Sequence, residues 1–246
     1  MDLNGKVAII TGGKRIGRIV AQALAARGVD LVLSYRGSRQ EAEDTVADIE
    51  KAGRRATTIV ADVGKPDDCK AVVEHAVATF GRVDIVLNMA SIYRSTPLDR
   101  VTPEYWDTDI DVNLRSAFLC SHAAFPHMRA AGGGRIVNFA DWLARSGRPH
   151  YTGFTSYYVA KAGVIALTES LALEGAADNI LVNAIAPGPI VPPPDMSEAE
   201  IAEVAAATPV GRWGSELEIA KAVVLLCETD FITGETIRVD GGRHLQ

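Results

Sequence analysis

The sequence predicts a doubly wound α/β fold: one seven-stranded parallel sheet in a single domain over residues 1–246. Two observations predict it. Short unbroken apolar runs alternate with longer stretches of helical periodicity, the pattern of parallel strands buried on both faces and of their crossover helices. A glycine-containing turn, Thr11-Gly12-Gly13-Lys14-Arg15-Ile16-Gly17, joins the first run to the first helical stretch. Such sheets bind anionic ligands at that place.

The elements follow in order. Val7–Ile10 reads as the first strand, with a helix from about Ile16 to Arg27. Leu31–Ser34 is the second, followed by a helix from about Arg39 to Ala52. Thr57–Ala61 is the third, with a helix running through Phe80, and Asp84–Asn88 is the fourth. A long helical stretch covers about Pro103 to Ala131, and Arg135–Phe139 is the fifth strand. A helix from about Tyr157 to Ala177 leads to the sixth strand, Ile180–Ala184. The helix Glu216–Cys227 precedes the seventh, Glu235–Val239. Repeated βα units of this kind give right-handed crossovers and helices on both faces of the sheet. Residues 187–210 break the pattern, with prolines at 187, 189, 192, 193, 194 and 209 and an acidic helical patch from Ser197 to Ala207. A long segment without a strand, placed just after a strand's C-terminal end, reads as a lid on the substrate side.

The bulk properties narrow the partners. A net charge of −6 argues against nucleic acid or an anionic membrane surface and leaves a small-molecule substrate. Cys69, Cys120 and Cys227 are odd in number and far apart, without metal-ligand spacing, so they read as reduced thiols and no metal is expected. The N-terminus runs straight into a strand without a signal-peptide pattern, and no apolar stretch is long enough to span a membrane. A cytoplasmic protein is the expectation.

The turn from Gly12 to Gly17 suits a pyrophosphate, because glycine permits the sharp bend and the helix N-terminus offers free N–H groups. The chemistry around it points to NADP(H). Lys14 and Arg15 lie inside the turn. The second strand ends Ser34-Tyr35-Arg36-Gly37-Ser38-Arg39, without the acid that usually holds the ribose hydroxyls of NAD. Arg36, Arg39 and Ser38 suit a 2′-phosphate, with solvated surface charge as the other reading for Arg36 and Arg39. Asp62-Val63 closes the third strand, where a carboxylate can accept from the adenine amino group or cap the next helix.

Tyr157 and Lys161 lie four apart in a predicted helix and so share a face. A nearby ammonium lowers a phenol's pKa towards the range useful for proton transfer. With the turn 11–17, Asp62, Asn88-Met89-Ala90, Asn113, Asn183, Pro187-Gly188 and Gly234–Gly242, these residues resemble the short-chain dehydrogenase/reductase family over essentially the whole chain. The resemblance implies a Rossmann fold, Tyr157 as proton donor, and Lys161 as the group that lowers its pKa and holds the nicotinamide ribose. It implies Asn113 as anchor of a relay water, Asn88, Ala90 and Ile190 beside the cofactor, Pro187-Gly188 against the nicotinamide, and a homotetramer paired through the long helices. Where the family has a threonine for the carboxamide this chain has Pro192, so that anchor is missing.

The family's catalytic serine falls three residues after Asn138, and the residue there is Asp141. Counting back thirteen residues from Tyr157 finds Ala144. The segment between them, with Gly147, Pro149 and Gly153, is about three residues longer than usual. Aspartate at this place resembles the pteridine reductase branch, as do Lys14-Arg15-Ile16-Gly17-Arg18 and Asn88-Met-Ala-Ser-Ile-Tyr93-Arg-Ser-Thr-Pro97-Leu98. By that resemblance Arg15 and Ser91 contact pterin or pyrophosphate and Tyr93 stacks on a flat ring. Asp141 should keep the Tyr157 phenol protonated, and in its protonated form could itself donate, with activity rising towards mildly acidic pH. Trp142, Tyr151 and Phe154 either line a flat pocket or pack the loop; His150 carries no role. The expected activity is NADPH-dependent reduction of a C=N or C=O bond in a pterin-like substrate. The alternatives are a 3-oxoacyl thioester or general carbonyl reductase and a non-catalytic NADPH sensor.

Overall fold

A computed structural model of the protein describes residues 1–12, 14–146 and 151–246. Gly13, and the Gly147, Pro149 and His150 of the long loop, lie outside the described residues. The expected sheet is present, with seven parallel strands: β1 (Val7–Thr11), β2 (Asp30–Tyr35), β3 (Ala56–Val60), β4 (Ile85–Asn88), β5 (Gly134–Phe139), β6 (Ile180–Pro187) and β7 (Thr236–Val239). Their order is β3-β2-β1-β4-β5-β6-β7. The chain reverses direction across the sheet between β1 and β4, where Thr11 lies opposite Asn88. A crevice opens at the C-terminal ends of the strands there, the general ligand position of such folds.

Alternation of side chains along the strands divides the core. Ala8 and Ile10 of β1 face one layer with Leu31, Leu33, Ile85 and Leu87, covered by α1 (Ile16–Ala25), α2 (Arg39–Lys51) and α9 (Glu216–Glu228). Ile9, Val32, Val86 and Ile136 face the other layer, covered by α3 (Pro66–Phe80), α5 (Ser116–Ala130) and α7 (Thr155–Gly175).

Three elements differ from the sequence reading. The expected helix over 103–131 is divided into α4 (Pro103–Ile110), a π turn (Asp111–Arg115) and α5. The Ser116 amide reaches back five residues to the Asp111 carbonyl, and hydrophobic periodicity does not register one surplus residue. A short helix, α6 (Trp142–Ser146), follows β5 where a loop was expected. Asp141 starts it by accepting the Leu143 amide at 2.8 Å. The helix of Tyr157 starts two residues early, at Thr155. In the lid, α8 (Glu198–Ala206) falls within the acidic patch. Ser197 and Glu200 form a reciprocal capping box that explains its start.

Candidate active site

The first turn builds the floor of the crevice. Gly12 has φ +69°, and a Cβ added there would lie 2.6 Å from the Ala90 Cα, so the turn and the segment that follows β4 touch only because this residue is glycine. Lys14 and Ile16 follow, and Gly17 is buried at the start of α1. Arg15 also has positive φ, 49°, and its guanidinium donates to the Pro192 carbonyl at 3.0 Å, which ties the phosphate turn to the lid. A cavity of about 430 Å³ is lined by Gly12, Lys14, Tyr35, Arg36, Ser38, Asp62, Val63, Ala90 and Ser91. This donor set, rich in cations and backbone and poor in acids, fits a nucleotide with phosphate groups.

Several expectations change here. Asp62 does not cap α3, whose N-cap is Lys65; its carboxylate instead accepts the Gly64 amide at 3.2 Å and lies 3.9 Å from Arg36. Arg39 lies on the surface with Glu43 at 3.4 Å. The Asn88 side chain is buried and faces inward. Its amide donates to the Asn138 side chain at 2.8 Å, to Ser121 Oγ at 3.2 Å and to the Ala117 carbonyl at 3.3 Å, joining β4 to β5 and α5. The neighbouring sheet and helix thus satisfy the Asn88 Nδ2, while its buried Oδ1 has no hydrogen-bond partner among the described residues.

Tyr157 and Lys161 lie one turn apart on α7, both buried. Lys161 Nζ donates to the Phe139 carbonyl at 2.7 Å and lies 5.7 Å from the centre of the Tyr157 ring. The Tyr157 hydroxyl donates to Asp141 Oδ2 at 2.9 Å. Burial pushes the Tyr157 phenol well above its ordinary range, and the Asp141 charge and hydrogen bond add to the shift. The expected lowering by Lys161 is therefore not found. The nearest charged group to the phenol is the carboxyl, while the ammonium is bonded to backbone on the strand side. Burial brings Lys161 down to about 8, with Asp141 opposing. Burial also raises Asp141 above the usual carboxylate value, outweighing the Leu143 amide, the Tyr157 hydroxyl and Lys161.

Asn113 lies in the π turn with its side chain committed. Its Oδ1 accepts Ser91 Oγ at 2.7 Å and the Ile92 amide at 3.0 Å, and its Nδ2 donates to the Ile92 carbonyl at 3.1 Å. The side chain thus pins the segment that carries Ser91 and Tyr93; a water held by this side chain has no free acceptor there. Tyr93 stacks on Phe154, with ring centres 4.5 Å apart, and meets Tyr157 edge-on at 4.9 Å. Phe154 thus covers one face of the Tyr93 ring, while Tyr93 stays exposed and lines the cavities beside it. Burial, with Asp141 nearby, pushes the Tyr93 phenol up to about 12. The Thr96 amide donates to the Gly153 carbonyl at 2.7 Å, so the two aromatic segments are clipped together. Gly153 has φ +83°, and a Cβ there would lie 2.6 Å from Ser95 Oγ.

Two cavities meet at this aromatic wall and share Asp141, Tyr151 and Tyr157. One, about 560 Å³, extends between Pro97, Leu98, Leu143, Ala144 and Tyr158. The other, about 590 Å³, runs along Arg15, Trp142, Pro187, Gly188 and Ile190 to Met196, Val204 and Trp213 of the lid side. The Trp213 indole donates to the Ile201 carbonyl at 2.9 Å and fastens α8.

Sequence reasoning missed a buried group. Asp109 of α4 accepts the Ser156 hydroxyl next to Tyr157 and lies 3.7 Å from Arg94 next to Tyr93. In the sequence it is one acid among Asp107, Asp109 and Asp111 and looks like a solvated face. Among the described residues no cluster of His, Cys, Asp or Glu could hold a metal, and the three cysteines are free and buried. No described helix is long and apolar enough to cross a membrane.

An ionisable tyrosine and lysine on one helix, above a phosphate turn at the sheet's switch point, define a nicotinamide-dependent oxidoreductase site. Comparison with known proteins agrees. The family model described as Enoyl-(Acyl carrier protein) reductase matches residues 12–244. The 3-oxoacyl-[acyl-carrier-protein] reductase FabG of Staphylococcus aureus (strain Mu50) is 38% identical, over 98% of each chain. The short-chain reductase protein NovJ of Streptomyces niveus is 40% identical, over 96% of this chain and 93% of its own. A blue fluorescent protein from a metagenomic library, solved with NADPH, superposes with a TM-score of 0.91 at 33% identity, over 99% of each chain. The chain belongs to the short-chain dehydrogenase/reductase family and is an oxidoreductase that works with a nicotinamide cofactor.

Proposed function

We propose that the protein is an NADPH-dependent reductase of a ketone of the 3-oxoacyl thioester type. The observation that carries this reading is the position of the Tyr157 hydroxyl, held as a phenol where the two cavities meet. The names of its curated relatives support the thioester class. The cofactor, when bound, supplies the hydride. Gly12, Lys14, Arg15, Ile16 and Gly17 would hold its pyrophosphate, Arg36 and Ser38 its 2′-phosphate, and Pro187, Gly188 and Ile190 the nicotinamide side. Lys161, with a pKa of about 8, is largely charged near neutrality and suited to the ribose hydroxyls. Tyr157 gives its proton to the carbonyl oxygen. Asp141, whose pKa is raised, returns a proton to Tyr157 or, as the acid, donates to the same oxygen, the task a serine hydroxyl would perform.

Asp141 favours a second reading. An acid beside the phenol suits protonation of a ring nitrogen, so reduction of a C=N bond in a dihydropterin is the alternative. Ser91 and Tyr93 would then border the ring. The test is NADPH oxidation with an acetoacetyl thioester and with dihydrobiopterin, in the wild type and in Asp141→Ser. Thioester turnover retained or increased in the variant supports the first reading. Pterin turnover that is lost in the variant overturns it in favour of the second.

The assembly is proposed to be a cytoplasmic homotetramer. Phe118 of α5 and Val159 and Leu173 of α7 are large apolar side chains left exposed in one chain, on the helices expected to pair. A monomer by light scattering at micromolar concentration would refute it.

A further inference from the structure

The second cavity contains a cation that the proposed reaction does not use. Arg243, in the 3-10 turn Arg243–Leu245, lines it together with Trp213, Met196 and Val204. Its Nη1 donates to the carbonyl of Ala207, the residue that closes the C-terminal end of α8. That bond fixes the guanidinium and leaves further N–H groups to offer. No carboxylate among the described residues forms an ion pair with it. The adjacent Asp240 is committed to His244 Nδ1 at 2.7 Å and to the Gly242 amide at 3.0 Å. Asp141, the one carboxyl group among the described lining residues, is bonded to Tyr157. The cavity's other two cations, Lys14 and Arg15, lie on the turn suited to the cofactor's phosphates, and Lys14 has Glu41 at 3.4 Å. Arg243 is therefore the cation without an acidic partner on the lid side. A half-buried guanidinium without a counter-ion attracts a carboxylate or phosphate, which it can bind through two parallel hydrogen bonds.

We infer that Arg243 receives an anionic group, phosphate or carboxylate, at the end of the substrate remote from the reacting carbonyl. The substrate class thereby narrows to ketones with an anionic arm. The inference rests on the carbonyl-reductase reading of the same site. Because the same guanidinium holds the end of α8, the anion would also draw the lid helix onto the substrate.

The test is calorimetric titration of the NADP⁺-bound protein with two matched pairs of ligands. One pair is pantetheine and 4′-phosphopantetheine. The other is methyl acetoacetate and the monomethyl ester of 3-oxoadipic acid. The expected result is that the wild type prefers the anionic member of at least one pair by roughly tenfold or more. Arg243→Met should erase that preference and Arg243→Lys should keep part of it. The pair that shows the preference names the anion. No preference for either anion in the wild type would overturn the inference. So would a preference that survives in Arg243→Met, including one that persists while all four ligands weaken equally, the result expected if Arg243 only fastens α8. Binding is read without turnover, so failure to reduce a thioester counts against the functional reading alone.

Discussion

The Tyr157 hydroxyl donates to Asp141 Oδ2 at 2.9 Å, so the proton that catalysis needs lies between a phenol and a carboxyl group that both hold protons more tightly than usual. In most arrangements of a tyrosine with a lysine, the phenol is made more acidic. Here the pair relies on a full supply of protons instead.

This relationship sets the pH dependence. Asp141 has a raised pKa, so it is protonated at low pH and loses its proton as pH climbs through that raised value. Reduction should be fastest on the acidic side and fall along that limb, and Asp141→Ser should flatten it. The measurement is kcat against pH under conditions where chemistry limits the rate. Identical profiles in the two proteins would remove Asp141 from the proton path.

The phenols offer an independent readout. The chain has six tyrosines; Tyr93 is pushed up to about 12 and Tyr157 well above its ordinary value, and Asp141 contributes to both shifts. Alkaline ultraviolet titration of the folded protein should leave these two phenols un-ionised after an ordinary tyrosine has titrated. Asp141→Ser should bring both down. A titration that does not change in the variant would contradict the electrostatic account.

Lys161 links stability to pH in the opposite sense from a paired lysine. Its pKa falls from 10.5 to about 8 on folding. The unfolded chain therefore holds the proton more tightly, and between those values the contribution of this residue to stability rises with pH. Below about 8 the full cost of burying the ammonium applies. Lys161→Met, without cofactor, should gain most on the wild type near neutrality, and the gap should close at the alkaline end. Denaturant unfolding at several pH values checks it; a gap independent of pH would contradict it.

Two substitutions probe the cofactor cleft. Gly12→Ala places a Cβ at 2.6 Å from Ala90 Cα on a backbone with φ +69°. It should cost roughly 1–3 kcal/mol and weaken NADPH binding in a fluorescence titration. Arg36→Ala removes the charge expected at the 2′-phosphate. A hydrogen bond to a charged group is worth about 1.5–3 kcal/mol. The ratio of kcat/KM for NADPH over NADH should therefore fall about tenfold or more. An unchanged ratio would mean that another group reads the phosphate.

The seven strands and their order of chemistry were legible because buried parallel strands and a phosphate turn leave local signals: apolar runs, a glycine, a cation beside it. Tyr157 and Lys161 stood out by their spacing along one helix, and Asp141 only through the family resemblance, which places a serine at that position. What escaped was set by distant neighbours. Asn88 and Asn113 sit at motif positions, but the groups that occupy their side chains, Asn138 and Ser121 for one and Ser91 and Ile92 for the other, come from elsewhere in the chain. Tyr93 was expected, by resemblance, to stack on a flat ring, and the sequence did not show that Phe154, sixty-one residues later, stacks on one of its faces. Asp109 looked like surface because helical periodicity does not reveal that α7 packs across it with Ser156. Arg243 lies past the last glycines of a motif, where sequence pattern carries no information about what a side chain reaches.

The π turn at Asp111–Arg115 gives the helix one residue more than regular winding would use. Deleting one residue there would let α4 and α5 run on as a single straight helix with ordinary bonding. The π turn absorbs the surplus residue in one widened turn, so the two halves would keep nearly the same angular phase and the change would fall on the residues inside the turn. Asp109, in α4, would keep its place against Ser156, and Asn113, inside the turn, would lose its aim at the Ser91–Ile92 segment. The surplus residue is a local bulge that aims Asn113 at the Ser91–Ile92 segment while the helix on either side of it stays in register.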